Sequence, residues 1–395
     1  MPLALSQHLQ AIAGLPADEP FGLPGSFYTD QGYFAHEAAT VLRQTWHCLG
    51  RVDEVAAPGD YFTVQLLNEP LLVVRQIDGE IAVMANVCRH RGMPLAGGHG
   101  HTDRFVCSYH AWAYGLDGQL LRAARMKNAG FLAATCKLHS HPVQIWNGFI
   151  YTCLDPDAAP FSYPELDQLL ANYEPKNFRL VHVAEEVWET NWKCLVENFM
   201  EGYHLSVVHP ETLHSYTPTG LARKLVGGDG FTSYAANYPK DIPYRGLGAS
   251  GLTEDERLRS TLFSVFPTQV ASQAASLLVS LSLFPLNAGQ VRVKWTMSVY
   301  GDDLDEATIA ARIALWEEVN AEDREKLERL QIALSSHHAL SGPLAGDDYE
   351  GTIRDFHLWL AAQDRKTTAS ERNTNDGPYP HPDLQHQGYL PRAEP

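Results

Sequence analysis

Two short segments constrain this chain more than any other feature: Cys88-Arg89-His90 and Cys107-Ser108-Tyr109-His110. Each offers one thiolate and one imidazole. A lone cysteine or histidine is ordinarily a core residue, but two mixed pairs at short spacing ask for a shared ligand. Structural zinc also takes two Cys and two His, yet zinc fingers usually group like with like. Here each loop supplies one of each. That pattern suits a Rieske [2Fe–2S] cluster, in which two thiolates hold one iron and two imidazoles hold the other. Gly92, Gly97, Gly98 and Gly100, with Pro94, let backbone approach a buried inorganic core.

The chain has 395 residues, enough for two or three domains with a sizeable core. Its formal charge of -17 excludes nucleic acid as a partner, because phosphates need a basic surface. No apolar run is long enough to span a bilayer, and the first residues lack the basic start of a leader, so no membrane association is expected. Six cysteines are too few for a disulfide framework. Cys48, Cys136, Cys153 and Cys194 have irregular spacing and read as buried free thiols in a reducing, cytoplasmic setting.

From about residue 45 to 158 the pattern is short strands with turn punctuation, including Asp78-Gly79 and Asp117-Gly118. A Pro/Asp/Ala-rich bridge near 155–164 precedes a second style of sequence. There, 190–208, 304–334 and 349–362 read as helices. Segments 277–283 and 291–299 alternate as half-buried antiparallel strands. The fold class is α+β, with helices on an antiparallel sheet. The expected division is an N-terminal segment (1–44) packed on the catalytic domain, an all-β cluster domain (45–158), a catalytic domain (159–365) and a tail or arm (366–395).

The second site lies within Asn191–His209. Glu201 and His204 are three apart and share a helix face, whereas His209 is five beyond His204 and needs a kink, near Ser206, to converge. Two His and a carboxylate with open positions form the facial triad of non-heme Fe(II) oxygenases. For the carboxylate, Trp316, Val319, Leu327, Leu330 and Leu334 make an apolar stripe, and Asp323 falls inside it. Burying an unpaired carboxylate is costly, and a metal resolves that cost. Glu322 and Glu325 fall off the stripe. The competing readings are an Asp323 paired with a buried base, or a helix rotated to expose it.

With both motifs in hand, the chain resembles, over nearly its whole length, the catalytic α subunit of Rieske non-heme iron oxygenases, the aromatic-ring-hydroxylating dioxygenase family. The resemblance rests on the Cys/His loops, with Trp112 after the second, and on the run from Asn191-Trp192-Lys193 through Glu197-Asn198 and Tyr203-His204 to His209. It implies an N-terminal Rieske domain joined to a helix-grip (START-like) catalytic domain. It implies that Cys88 and Cys107 hold one cluster iron and His90 and His110 the other. His204, His209 and Asp323 would hold a mononuclear Fe(II). In this family electrons cross to the mononuclear iron of a neighbouring subunit in a homotrimer, bridged by a carboxylate just before the first His ligand, here Glu201. Electrons come from NAD(P)H through a separate flavin/iron–sulfur reductase or a ferredoxin; no Rossmann glycine fingerprint occurs in this sequence.

The resemblance is nearest to the carnitine and glycine betaine type of monooxygenase, which implies monohydroxylation or N-dealkylation of a quaternary amine. Phe263, Phe266, Trp295 and Tyr300 are candidates for an aromatic cage around such a cation. Two features depart from that group. Its members often carry Cys on both sides of the Tyr-His pair, where Gly202 and Leu205 stand here, and 264–283 shows no obvious cage. An aromatic or N-alkyl xenobiotic substrate is the alternative. A Rieske electron carrier without catalysis and a zinc-stabilised binding module are the readings from other classes.

Overall fold

The alternating apolar residues between 60 and 85 pair into a sheet. Asp60–Leu66, Glu69–Arg75 and Ile81–Ala85 run as successive antiparallel strands, with His99–His101 on one edge and Ser140–His141 on the other. The computed structural model describes residues 2–126 and 136–371. Phe105–Val106, Ala113–Tyr114 and Leu120–Arg122 form a second small sheet. His47–Arg51, Phe149–Thr152 and Val143–Trp146 form a third. Leu72, Val74, Met84, Phe105 and Trp112 share one apolar cluster with Cys88 and Cys107, so both thiols are anchored in the core of this all-β unit.

The second unit is a seven-stranded antiparallel sheet. In spatial order its strands are Phe178–Trp188, Gln290–Tyr300, Leu277–Asn287, Gln269–Gln273, Arg259–Val265, Phe231–Asn237 and Ala222–Lys224. Val279, Leu281, Val293 and Met297 meet Trp192, Leu195, Leu327 and Phe356 from the helices, which gives the main core. The helix Pro2–Ala13 rests on Asp347–Glu371, through hydrogen bonds from Ser6 Oγ to Asp364 (3.0 Å) and from Gln10 Nε2 to the Ala361 carbonyl (2.8 Å).

Four expectations are corrected. The strands 277–283 and 291–299 are buried on both faces, not one: Ser280, Ser282, Lys294, Thr296 and Ser298 are buried as well. Their polar face packs on the first unit, where Lys294 pairs with Glu54 at 2.5 Å, and within the sheet Gln269 Nε2 donates to Ser280 Oγ at 3.2 Å. Polar alternation here marks a buried hydrogen-bonded interface rather than a wet one.

The expected helix 190–208 is two helices, Trp192–Phe199 and Leu205–Val208. Leu330 is 44% exposed and leaves the expected stripe of the helix Glu306–Leu334. Gln331 takes that place, accepting a hydrogen bond from the Asn191 backbone N–H (2.9 Å) and donating to the Tyr28 carbonyl (3.1 Å). The last helix runs to Glu371, past the expected start of the tail at 366, because no Gly or Pro interrupts 366–371. The rest of that tail lies outside the described residues. The four remaining cysteines are buried and in no disulfide among the described residues. No helix among the described residues is long and apolar enough to cross a membrane.

Candidate functional site

The two Cys/His loops are built alike. The Cys88 N–H donates to the Met93 carbonyl (2.9 Å) and the Gly92 N–H donates back to the Cys88 carbonyl (2.9 Å). In the second loop Cys107 and Trp112 (2.8 Å), and Ala111 and Cys107 (3.0 Å), make the same two bonds. Four residues after each cysteine the chain turns left-handed, at Gly92 (φ 77°) and Ala111 (φ 56°). Nothing lies within 4 Å of a Cβ built on Gly92, so that glycine serves conformation rather than close packing.

Each loop thus buries its thiol and turns its imidazole outward. The rings of His90 and His110 stand edge to face with centroids 4.6 Å apart, and Trp112 stacks on His90 at 4.9 Å. Tyr114 Oη lies 3.3 Å from Cys88 Sγ and accepts from the Arg89 N–H at 3.0 Å. Burial pushes the Cys88 thiol pKa up, so a positive partner is needed to hold a thiolate there. His90 Nδ1 is buried without a hydrogen-bond partner, a free nitrogen of the kind a metal takes. Among the described residues, only His204, His209 and Asp323 gather ligand atoms within 4.8 Å of one another. Two thiols in the core and two imidazoles side by side are the donor set of a two-iron cluster.

The chain break in the second motif comes before His204, not near Ser206. Asn191 caps the helix Trp192–Phe199 by accepting from the Lys193 N–H. Glu201 then folds back and accepts from the backbone N–H groups of Tyr203 and of His204, the latter at 3.1 Å. A side chain that takes backbone donors this way competes with helix continuation. Gly202 sits where a Cβ would lie 2.5 Å from the Ala222 Cβ. A cysteine there would have to displace that strand. His204 and His209 thereby cap the two ends of a one-turn helix, and their rings meet at 5.2 Å.

Both imidazoles are oriented by carboxylates. His204 Nδ1 lies 2.5 Å from Glu201 Oε1, and His209 Nδ1 lies 2.7 Å from Glu322 Oε2. Each ring therefore turns Nε2 toward Asp323 Oδ1, at 3.7 Å from His204 and 3.2 Å from His209. Despite that proximity, Asp323 Oδ1 has no hydrogen-bond partner of acceptable direction and is buried. Two imidazole nitrogens and one orphaned carboxylate oxygen converge on a common point, and these are donors that suit Fe(II). Burial would lower the His204 pKa, but the Glu201 carboxylate and then the Asp323 charge outweigh it and hold it above its ordinary value. Burial would raise the Asp323 carboxyl, and the two imidazoles hold it down instead.

Glu322 was missed in the sequence, where it was set aside for lying off the apolar stripe. The signal that could have found it is adjacency: Glu322 precedes Asp323, and a ligand histidine needs a partner for its second nitrogen. Thr212 Oγ1 also donates to Glu322, at 2.7 Å.

A narrow pocket opens beside this cradle between the sheet and the helix Glu306–Leu334. Leu205, Leu213, Leu262 and Leu277 give its apolar wall, and Tyr234, Tyr238 and Trp316 its aromatic faces. The expected cage residues are elsewhere. Phe263 packs on Trp146, Phe266 on Phe356 and Trp359, and Trp295 on His182, while Tyr300 donates to Glu174. Those aromatics were chosen by type, whereas the pocket is lined by alternate residues of the strand Phe231–Asn237 and its continuation.

Comparison with known proteins bears on both sites. Residues 45–142 match the Rieske [2Fe-2S] domain and residues 173–364 match the ring hydroxylating alpha subunit catalytic domain. The chain thus carries a Rieske [2Fe-2S] domain followed by a ring-hydroxylating alpha catalytic domain. It is 36% identical over 217 residues to the glycine betaine monooxygenase oxygenase subunit of Chromohalobacter salexigens, a match covering 54% of this chain and 49% of that protein. The chain thus spans about half the length of that relative. It is 26% identical over 362 residues to the chloroplastic choline monooxygenase of Amaranthus tricolor, covering 88% of this chain and 78% of that one. A solved quaternary ammonium Rieske monooxygenase shares the fold, with a TM-score of 0.78, 22% identity, and 90% and 98% of the two chains covered. A Rieske [2Fe–2S] cluster and a non-heme iron are the cofactors of such a subunit.

Proposed function

We propose that this α subunit is the oxygenase component of an O2-dependent monooxygenase that hydroxylates or N-demethylates a quaternary amine. The carrying observation is the convergence of His204 Nε2, His209 Nε2 and the partnerless Asp323 Oδ1 beside a pocket with aromatic faces. The naming of the relatives for glycine betaine and choline supports the substrate class.

In this reading Cys88, Cys107, His90 and His110 hold the cluster, and His204, His209 and Asp323 hold the iron. A ferrous ion with three protein ligands supplies open positions at which O2 is reduced next to a bound substrate. The chain's own residues do the rest. Glu201 and Glu322 keep each ligand ring in one tautomer, with Nε2 free for the metal. Tyr234 Oη donates to the Glu201 carbonyl at 3.2 Å and steadies the break that sets His204. The leucine wall excludes water from the reacting end of the pocket.

For N-demethylation the balance is one O2, two electrons and two protons per methyl. One oxygen atom enters a C–H bond and leaves with that carbon as formaldehyde; the other becomes water. The electrons would come from NAD(P)H through a separate reductase, and Glu201, paired with the His204 ring, would form the bridge between one subunit's cluster and its neighbour's iron in a homotrimer. The imidazole of His110 and the side chains of Tyr109 and Tyr203 are exposed.

The test is turnover of the reconstituted α subunit with a surrogate reductase, following formaldehyde and O2 uptake with quaternary amines and N-alkyl aromatics in parallel. Formaldehyde from the amines supports the reading. Product from the aromatics alone, or no O2-dependent product, overturns it. Replacing His204 with Ala should abolish product while the cluster spectrum stays.

A further inference from the structure

The pocket beside the iron cradle contains two positive charges and no negative one. Arg245 and Arg312 both line it, and no Asp or Glu does. In a chain with a formal charge of -17, that is a marked local reversal. The Arg245 guanidinium lies 3.9 Å above the Tyr216 ring, which fixes its plane. Its charge also reaches Tyr238, whose hydroxyl lies 2.8 Å from Ser260 Oγ. Neither arginine forms an ion pair among the described residues.

Half-buried guanidinium groups facing an apolar wall call for an anion, and a planar carboxylate is the shape that Arg binds with two parallel hydrogen bonds. A substrate with only a cationic head would meet two like charges there, an arrangement that costs binding energy in a poorly solvated pocket. The geometry also gives direction. Arg312 precedes Asp323 by eleven residues on one helix, three full turns, so the two share a face. Arg312 and Asp323 thus stand about 16 Å apart along the helix axis. Trp316 lies between them on the same face, and its ring, like those of Tyr234 and Tyr238, can face a trimethylammonium group.

We propose that Arg245 and Arg312 make this subunit selective for quaternary ammonium carboxylates over quaternary ammonium alcohols. The carboxylate is held at the arginine end and the N-methyl groups are presented to the iron. This rests on the quaternary amine reading above.

The test is calorimetric titration of the holoprotein, carrying cluster and iron, with glycine betaine, carnitine and choline in the absence of reductant. The carboxylates should bind about tenfold or more tightly than choline. Arg245→Gln and Arg312→Gln should each weaken carboxylate binding about tenfold while leaving choline binding unchanged or improved. Iron and cluster content, measured on the same samples, should stay as in the parent protein. Choline binding as tightly as glycine betaine, or an equal loss for both ligands in the variants, overturns the proposal. Because binding is read without turnover, this outcome is separable from failure of the functional reading, which shows as no product with reductase present. Benzoate serves as the control for that separation. If it binds through Arg245 and the amines do not, the quaternary amine reading falls and carboxylate recognition stands.

Discussion

Glu322 holds His209: its Oε2 lies 2.7 Å from His209 Nδ1, on the turn of helix that also carries Asp323. One residue of a helix thus offers a ligand oxygen and its neighbour fixes the orientation of another ligand. Glu322→Ala should weaken iron binding by about 10–100-fold and leave the cluster spectrum unchanged. Iron titration of the metal-free variant checks this. Unchanged iron affinity would mean that His209 is held by the fold alone.

Glu201 has a double role, accepting from the chain at Tyr203 and His204 and pairing with the His204 ring. Glu201→Gln keeps the acceptor for the backbone and removes the charge. Iron and cluster should both remain, while oxidation of the reduced cluster by O2 and substrate in a single turnover slows about 10-fold or more. Stopped-flow absorbance of the cluster measures this directly, and an unaltered rate would count against the bridge.

Lys193 and Glu37 form a fully buried pair at 2.7 Å, which fastens the helix Gln31–Thr40 to the start of the helix Trp192–Phe199 that leads into the break before His204. Lys193→Met leaves Glu37 buried and uncompensated, at a cost of about 3–5 kcal/mol. The Lys193→Met, Glu37→Leu double variant should recover most of it. Denaturant midpoints of the parent, single and double variants provide the comparison.

His47 is fully buried between Thr268 Oγ1 (2.8 Å) and the Leu42 carbonyl (2.6 Å), and burial lowers its pKa from 6.5 to about 4. The unfolded chain therefore binds a proton that the folded chain refuses between those values. This group's stability contribution is complete above pH 6.5, falls as the pH drops toward 4, and levels off below it, a total of roughly 3 kcal/mol. Melting temperature against pH should show this slope, and His47→Gln should flatten it.

The Cys/His loops stand out in the sequence because two mixed pairs at short spacing leave few choices of ligand, whereas the spacing of His204 and His209 is a weak signal alone and gains weight only beside Glu201 and Asp323. Asp323 was legible as a charge in an apolar stripe, although one member of that stripe, Leu330, is exposed. Glu322 was not legible, because its role depends on the direction in which the His209 ring turns. Polar strand faces were misread because alternation cannot distinguish water from a second domain as the neighbour of Ser280, Lys294 and Ser298. The pocket lay beyond reach for a similar reason. Arg245 follows a turn-rich segment and Arg312 lies on the long helix, and only folding brings them to one wall.

The break before His204 and the two orienting carboxylates are hydrogen-bonded within the chain itself. Imidazole and carboxylate donors also suit cobalt and zinc, so metal-exchanged protein should stay folded while losing turnover.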